Sequence, residues 1–128
     1  METLTKYLAV AVGGALGAMA RYYLNSSALE RVAVPFPTPT FVINITGSFI
    51  IGFFLTLVTE RISVSPHLRL AVVVGFVGAY TTFSTFEYET AILLRERAYL
   101  TAFLNVTLNF VIGLAAVLGG MKVARKFW

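Results

Sequence analysis

Four long apolar stretches, separated by short polar segments, dominate the chain. They run roughly from Leu4 to Leu24, Thr40 to Val58, Leu68 to Leu94 and Ala98 to Met121. Each is close to or beyond the roughly 20 residues that a helix needs to cross a bilayer. The first loop, Asn25 to Pro39, carries Pro35, Pro37 and Pro39, which lack a backbone N–H and oppose a helix. Thr59 to His67 and the polar triplet Arg95-Glu96-Arg97 make the other two connections. Span three is longer than a crossing requires and contains Gly78–Thr82, so an interruption is expected there. The pattern predicts an all-α integral membrane protein. It forms a single domain over residues 1–128 with four transmembrane helices, the third broken in mid-membrane. The N-terminal stretch also has the look of a signal peptide, with Lys6 before an apolar core and small residues near Ala18–Ala20. Arg21 follows at once and three more spans come after, so it reads as a retained first span.

Composition sharpens this picture. Of 128 residues, 58% are hydrophobic and 12% charged, with mean hydropathy +0.82. Soluble domains carry about 25% charged residues. Four short spans leave little room for a private pore, so an oligomer is expected. The net charge of +4 is scattered at the ends of apolar segments, as in membrane proteins, and no basic patch interleaved with aromatics suggests nucleic acid. Lys6, Arg61, Arg69, Lys122, Arg125 and Lys126 fall on the side of the termini. Arg31, Arg95 and Arg97 fall on the other, joined by Arg21 if it emerges there. The bias is modest and leaves orientation open. Trp128 suits an interfacial anchor. No cysteine is present, which excludes thiolate chemistry and disulfides.

Polar groups inside the spans carry the candidate chemistry, because they are expensive at membrane depth. In span one, Gly13 and Gly17 form a small-residue pair suited to close helix contact. Arg21 at its end either snorkels to water or forms a vestibule cation. In span two, Asn44 and Ser48 share a face. The Asn44 amide serves as interhelical glue or donates to an anion in a pore. In span four, Thr101, Asn105 and Asn109 recur every fourth residue as a polar stripe. Span three holds GFVGAYTTFSTFEYE, Gly75 to Glu89. There Phe83 and Phe86 share a face, as core rings or as pore rings whose positive edges meet an anion. The negative ring faces fit a cation equally well, and spacing does not decide between them. Asn44, the Thr81–Phe86 segment and the Asn105/Asn109 stripe are expected to converge.

Catalysis finds little support, and the chain reads as a non-enzyme. GxSxG, HExxH, a Walker loop and GxGxxG are absent. Glu87 and Glu89 diverge on a helix, and the lone His67 beside Pro66 reads as a surface residue. Transport or binding is left. A small four-helix multidrug or cation antiporter fits the length, but wants a carboxylate in the middle of span one, where none follows Glu2. An accessory membrane subunit is the third reading.

GFVGAYTTFSTFEYE resembles the segment GFxGxxTTFSTF, followed by Glu, of the Fluc (CrcB) fluoride channels. LGAMARYY and TFVINITGSFIIG resemble that family's Arg-terminated first-helix segment and its Asn-before-Gly second-helix segment. The resemblance covers all four spans. It implies a passive fluoride-selective channel in the plasma or inner membrane of a microbe, exporting cytoplasmic fluoride and conferring fluoride resistance. It implies a dual-topology antiparallel homodimer in the lipid bilayer, with two pores and a structural Na+ at the dimer centre. Carried over by position, Asn44 donates to fluoride, and Phe83 and Phe86 supply ring edges. Ser84 and Thr85 form a polar track with span four, here Asn105 and Asn109. Arg21 lies at the vestibule and Glu89 near the pore mouth. Gly78 and Thr81 offer backbone carbonyls to sodium. The chain departs from the family pattern at Gly78-Ala79, at Thr101, Asn105 and Asn109, and at Glu87, an extra acid beside the rings.

Overall fold

The structure is a computed structural model that describes residues 1–26 and 35–127. Arg31, most of the first loop, and Trp128 with its expected anchoring role lie outside the described residues. The elements are α1 (Glu2–Asn25), α2 (Thr38–Glu60), α3 (Pro66–Arg69), a π-helical stretch (Leu70–Val77), α4 (Gly78–Tyr80), α5 (Phe83–Arg95) and α6 (Tyr99–Phe127). No strand occurs among the described residues. Glu2–Asn25, Thr38–Glu60, Pro66–Arg95 and Tyr99–Phe127 are each long and apolar enough to cross a membrane. The molecule is a multi-pass membrane protein.

Local chemistry sets the boundaries. α2 begins at Thr38, before the expected Thr40, because Pro39 sits in the first turn, where a missing N–H costs no helix bond. The Ser65 hydroxyl accepts from Leu68 N–H at 3.2 Å and starts span three. α5 ends on a left-handed residue, Arg97, at φ 62°. There Ala98 N–H donates to the Leu93 carbonyl and Arg97 N–H to the Leu94 carbonyl, closing the turn. α6 runs on past the expected Met121 to Phe127, carrying Lys122, Arg125 and Lys126 on helix.

The third helix is interrupted, but later and more briefly than expected. Gly78 to Tyr80 remain helical, and only Thr81 (φ −77°, ψ 156°) and Thr82 (φ −146°, ψ 116°) are extended. Pro66–Arg95 therefore bends at two residues and stays a single crossing.

Two helix pairs form the body: α1 against the π-helical stretch, and α2 against α6. Glycines let both pairs close. A Cβ on Gly13 would overlap the Ala71 backbone, one on Gly17 the Phe76 backbone, and one on Gly75 the backbone of Val10 and Gly14. In the second pair, Gly52 meets the Val117 backbone, and Gly120 meets that of Phe49 and Phe53. Gly13 and Gly17 thus serve close helix contact. α5 leans on α6. At one end, Thr5 Oγ1 and His67 Nε2 lie 2.9 Å apart, and the Arg125 guanidinium holds Glu60 through bonds of 2.9 and 2.7 Å. His67 is partly exposed and meets Thr5 of α1 at the surface. The largest fully buried side chains are Ile43, Asn105 and Thr40, so the centre of this membrane protein is partly polar.

Candidate functional site

The break in span three is held by span two. Asn44 Nδ2 donates to the Thr82 carbonyl at 3.0 Å, and Thr82 N–H donates to Asn44 Oδ1 at 2.9 Å. This pairing fixes the amide's orientation and leaves its second N–H without a partner among the described residues. It also releases the Gly78 carbonyl, which in a continuous helix would accept from Thr82 N–H. Thr82 caps the resumed helix: its hydroxyl accepts from Thr85 N–H at 3.3 Å and donates to Thr85 Oγ1 at 2.9 Å. That capture releases the Thr81 carbonyl, the usual acceptor for Thr85 N–H. The Thr81 hydroxyl and N–H both turn back to the Val77 carbonyl, at 2.8 and 3.0 Å. Gly47 makes room for Thr81 and Tyr80, whose hydroxyl shares a 2.7 Å hydrogen bond with Thr46.

Below the break, α5 presents its rings. Phe83 and Phe86 have centroids 5.8 Å apart and planes tilted by 43°. Phe86 is buried, whereas Phe83 is 74% exposed. Both border a cavity of about 370 Å³, with Asn44 from α2, Glu87 from α5, and Val106, Asn109 and Phe110 from α6. The structure thus brings Asn44, Phe83, Phe86 and Asn109 around one space. A second cavity, of about 260 Å³, is also bordered by Asn44. It is bordered by Gly47, Ser48, Ile51, Val77, Thr81, Thr82 and Phe83.

The α6 stripe is linked by hydrogen bonds to itself and to α5. Asn105 is 1% exposed and donates to Thr90 Oγ1 at 3.0 Å, and the Thr90 hydroxyl donates to the Phe86 carbonyl at 2.8 Å. Asn109 Nδ2 donates to the Asn105 carbonyl at 2.8 Å and to Asn105 Oδ1 at 3.0 Å. Its two N–H groups are therefore committed to Asn105, while Asn109 Oδ1 is buried and unpaired. The chain of bonds from Asn109 to Phe86 anchors the buried ring's helix to α6.

Other expected residues stand apart from this cavity. Ser84 is exposed and Arg21 half-exposed, and neither side chain makes a hydrogen bond among the described residues. Glu89 lies beside a different cavity, of about 270 Å³, with Pro35, Phe36, Pro37, Tyr88, Ile92, Leu93 and Glu96. Thr40 donates to Glu89 Oε1 at 2.7 Å, and Glu89 Oε2 is buried without a partner. Glu87 and Glu89 diverge, as their spacing requires. Sequence reasoning missed Thr90 and Thr40, and took Thr82 only as part of the Gly78–Thr82 and Thr81–Phe86 segments. A hydroxyl just before a resumed helix marks Thr82 as a cap, but nothing local links Thr40 to Glu89.

The chain matches the family model described as "CrcB-like protein, Camphor Resistance (CrcB)" over residues 8–121. It is 46% identical over 121 residues to the "Fluoride-specific ion channel FluC" of Solibacter usitatus, covering 94% of this chain and 99% of the relative. It is 48% identical over 121 residues to the protein of that name from Acidobacterium capsulatum, covering 94% and 97%. A third, from Thermococcus kodakarensis, is 44% identical over 119 residues, covering 93% and 95%. With a family match across the span of all four membrane helices and relatives this similar end to end, the chain belongs to the CrcB family.

Proposed function

We propose that this chain is a passive fluoride channel that lets cytoplasmic fluoride leave a microbial cell down its electrical gradient. The observation that carries the reading is the cavity shared by Asn44, Phe83, Phe86 and Asn109, in a chain akin to fluoride-specific channels. Fluoride is strongly hydrated, so its path must replace water with donors or positive ring edges. Asn44 has an uncommitted N–H, and the Thr85 hydroxyl accepts from Thr82 and keeps its own proton to donate. Phe83 and Phe86 add ring edges. No Lys or Arg among the described residues borders the cavity, so no fixed positive charge there would trap the ion. Ser84 extends the donor row, Arg21 draws anions to the vestibule, and Glu89 stands near the mouth. Asn105 and Asn109 brace the wall.

The channel works as an antiparallel homodimer inserted in both orientations, an assembly favoured by four short spans that leave little room for a private pore and by a modest charge bias. A cysteine added at a terminus should be labelled from both sides of the membrane. Labelling wholly from one side contradicts dual topology.

A sodium ion at the dimer centre fits the donor set at the break. The Gly78 and Thr81 carbonyls have lost their helical N–H partners to Asn44 and Thr82. Carbonyl oxygens suit a hard cation. Bound there, sodium would supply fixed positive charge that ties the breaks of two subunits together. The residues themselves only orient oxygen toward it.

The reading is tested in a bacterium lacking its own fluoride export. Expression of this chain should restore growth in fluoride, and expression of Asn44→Asp should not. Failure of the parent chain to rescue, with the protein present in the membrane, contradicts it.

A further inference from the structure

Glu87 is the one ionisable side chain bordering the Asn44–Phe83–Phe86 cavity. It is exposed, and no hydrogen bond or ion pair of its side chain is found among the described residues. It stands about 12 Å along α5 from Arg95, where the helix ends, given a rise of about 1.5 Å per residue. With Arg95 taken as the edge of a hydrocarbon layer about 30 Å thick, that distance would put Glu87 inside the membrane. A carboxyl group there needs water, a partner or a proton.

Among the described residues, the elements around it offer no counter-charge. On α5, Phe83, Ser84, Thr90 and Ala91 are its neighbours at helical spacing, and Glu89 turns away to Thr40. α2 contributes Asn44 to the cavity, and its acid, Glu60, ends the helix far away, bound to Arg125. α6 contributes Val106, Asn109 and Phe110. Its nearest cation toward the C-terminus, Lys122, is about 18 Å beyond Phe110 along the helix.

We propose that Glu87 sets the rate of anion passage through this cavity by its own charge, an inference that rests on the channel reading above. Ionised, the carboxylate repels an anion approaching Asn44 and the ring edges. Protonated, it carries no charge and its O–H becomes a further donor facing the ion. The same group therefore switches from obstacle to ligand when it takes up a proton. The cavity conducts faster in acid, the condition in which fluoride enters cells as neutral HF.

The test is fluoride current across planar bilayers holding the purified protein, with equal pH on both sides. Current reports only the charged ion, because HF carries none. The pH is stepped from about 8 down to about 4, across the range in which free carboxyl groups take up a proton. Over that range the parent current should rise by at least about threefold, the scale of a unit charge several ångströms from the path. Glu87→Gln should conduct near the parent's acid level throughout, with a flat profile. Glu87→Asp, which keeps the charge, should keep the rise. Identical profiles for the parent and Glu87→Gln overturn the inference and leave the channel standing. So does a well-folded Glu87→Gln that loses current while Glu87→Asp retains it. A parent with no fluoride current at any pH overturns the channel reading, and this inference with it.

Discussion

Asn44 and Thr82, 38 positions apart, hold each other by two reciprocal hydrogen bonds of 3.0 and 2.9 Å. One amide side chain thereby satisfies both backbone groups of a residue that has left the helix. In a membrane, unpaired backbone groups are costly, so an interrupted span needs such a partner. The same residue borders the ring-lined cavity. Span two thus stabilises the irregularity and lends it a donor.

Asn44→Asp should separate these roles. The carboxylate can still accept from Thr82 N–H, but it faces the Thr82 carbonyl with no hydrogen to give. The lost bond should cost about 1–3 kcal/mol of stability. The charge beside the cavity should cut fluoride flux by at least about tenfold, or about 1.4 kcal/mol at the barrier. Size-exclusion profiles and liposome efflux check both. Normal flux from Asn44→Asp would remove Asn44 from the pathway.

Phe83→Ile and Phe86→Ile remove the ring quadrupole while keeping apolar bulk. At least one should lower flux about tenfold or more. Their effects on folding should differ. Phe86 is 9% exposed, so its replacement leaves a gap and lowers thermal stability, whereas Phe83 is 74% exposed and its replacement does not. If both variants conduct like the parent, the rings are packing groups only.

Adjacent glycines on α6 give opposite expectations. A Cβ on Gly119 meets nothing within 4 Å, so Gly119→Ala should be neutral or stabilising by up to about 1 kcal/mol. A Cβ on Gly120 runs into the Phe49 and Phe53 backbone, so Gly120→Ala should destabilise by about 1–3 kcal/mol. Thermal unfolding of the two variants in detergent decides it, and equal midpoints would contradict the α2–α6 contact.

Which parts were legible in the sequence follows from the range of each interaction. The four spans follow from apolar runs alone, and their ends shift by only a few residues where Pro39 enters a first turn or α6 continues to Phe127. The break was legible as a Gly- and Thr-rich segment, Gly78–Thr82, but its confinement to Thr81 and Thr82 was not. Gly78 tolerates helix, and it is Asn44 that pulls Thr82 out. The Asn105/Asn109 stripe was legible as a face. That Asn109 spends its donors on Asn105 depends on rotamers and on Thr90, which periodicity does not encode. Thr40 and Glu89 meet only through tertiary contact between α2 and α5.

The carbonyls released at Gly78 and Thr81 predict a dependence on sodium. Activity or dimer stability should fall when Na+ is replaced by K+ or N-methylglucamine, and should return with Na+. Thr82→Ala, which removes the cap but not the carbonyls, should weaken the break by about 1 kcal/mol. Full activity and unchanged dimer stability after exhaustive sodium removal would leave the break as a bend without an ion.

Fluoride efflux from liposomes holding the purified chain tests the central claim most directly. With potassium fluoride inside and a potassium ionophore to balance charge, fluoride should leave rapidly, while chloride in parallel vesicles should scarcely move. No fluoride efflux, or proton-coupled cation exchange in its place, would contradict the account.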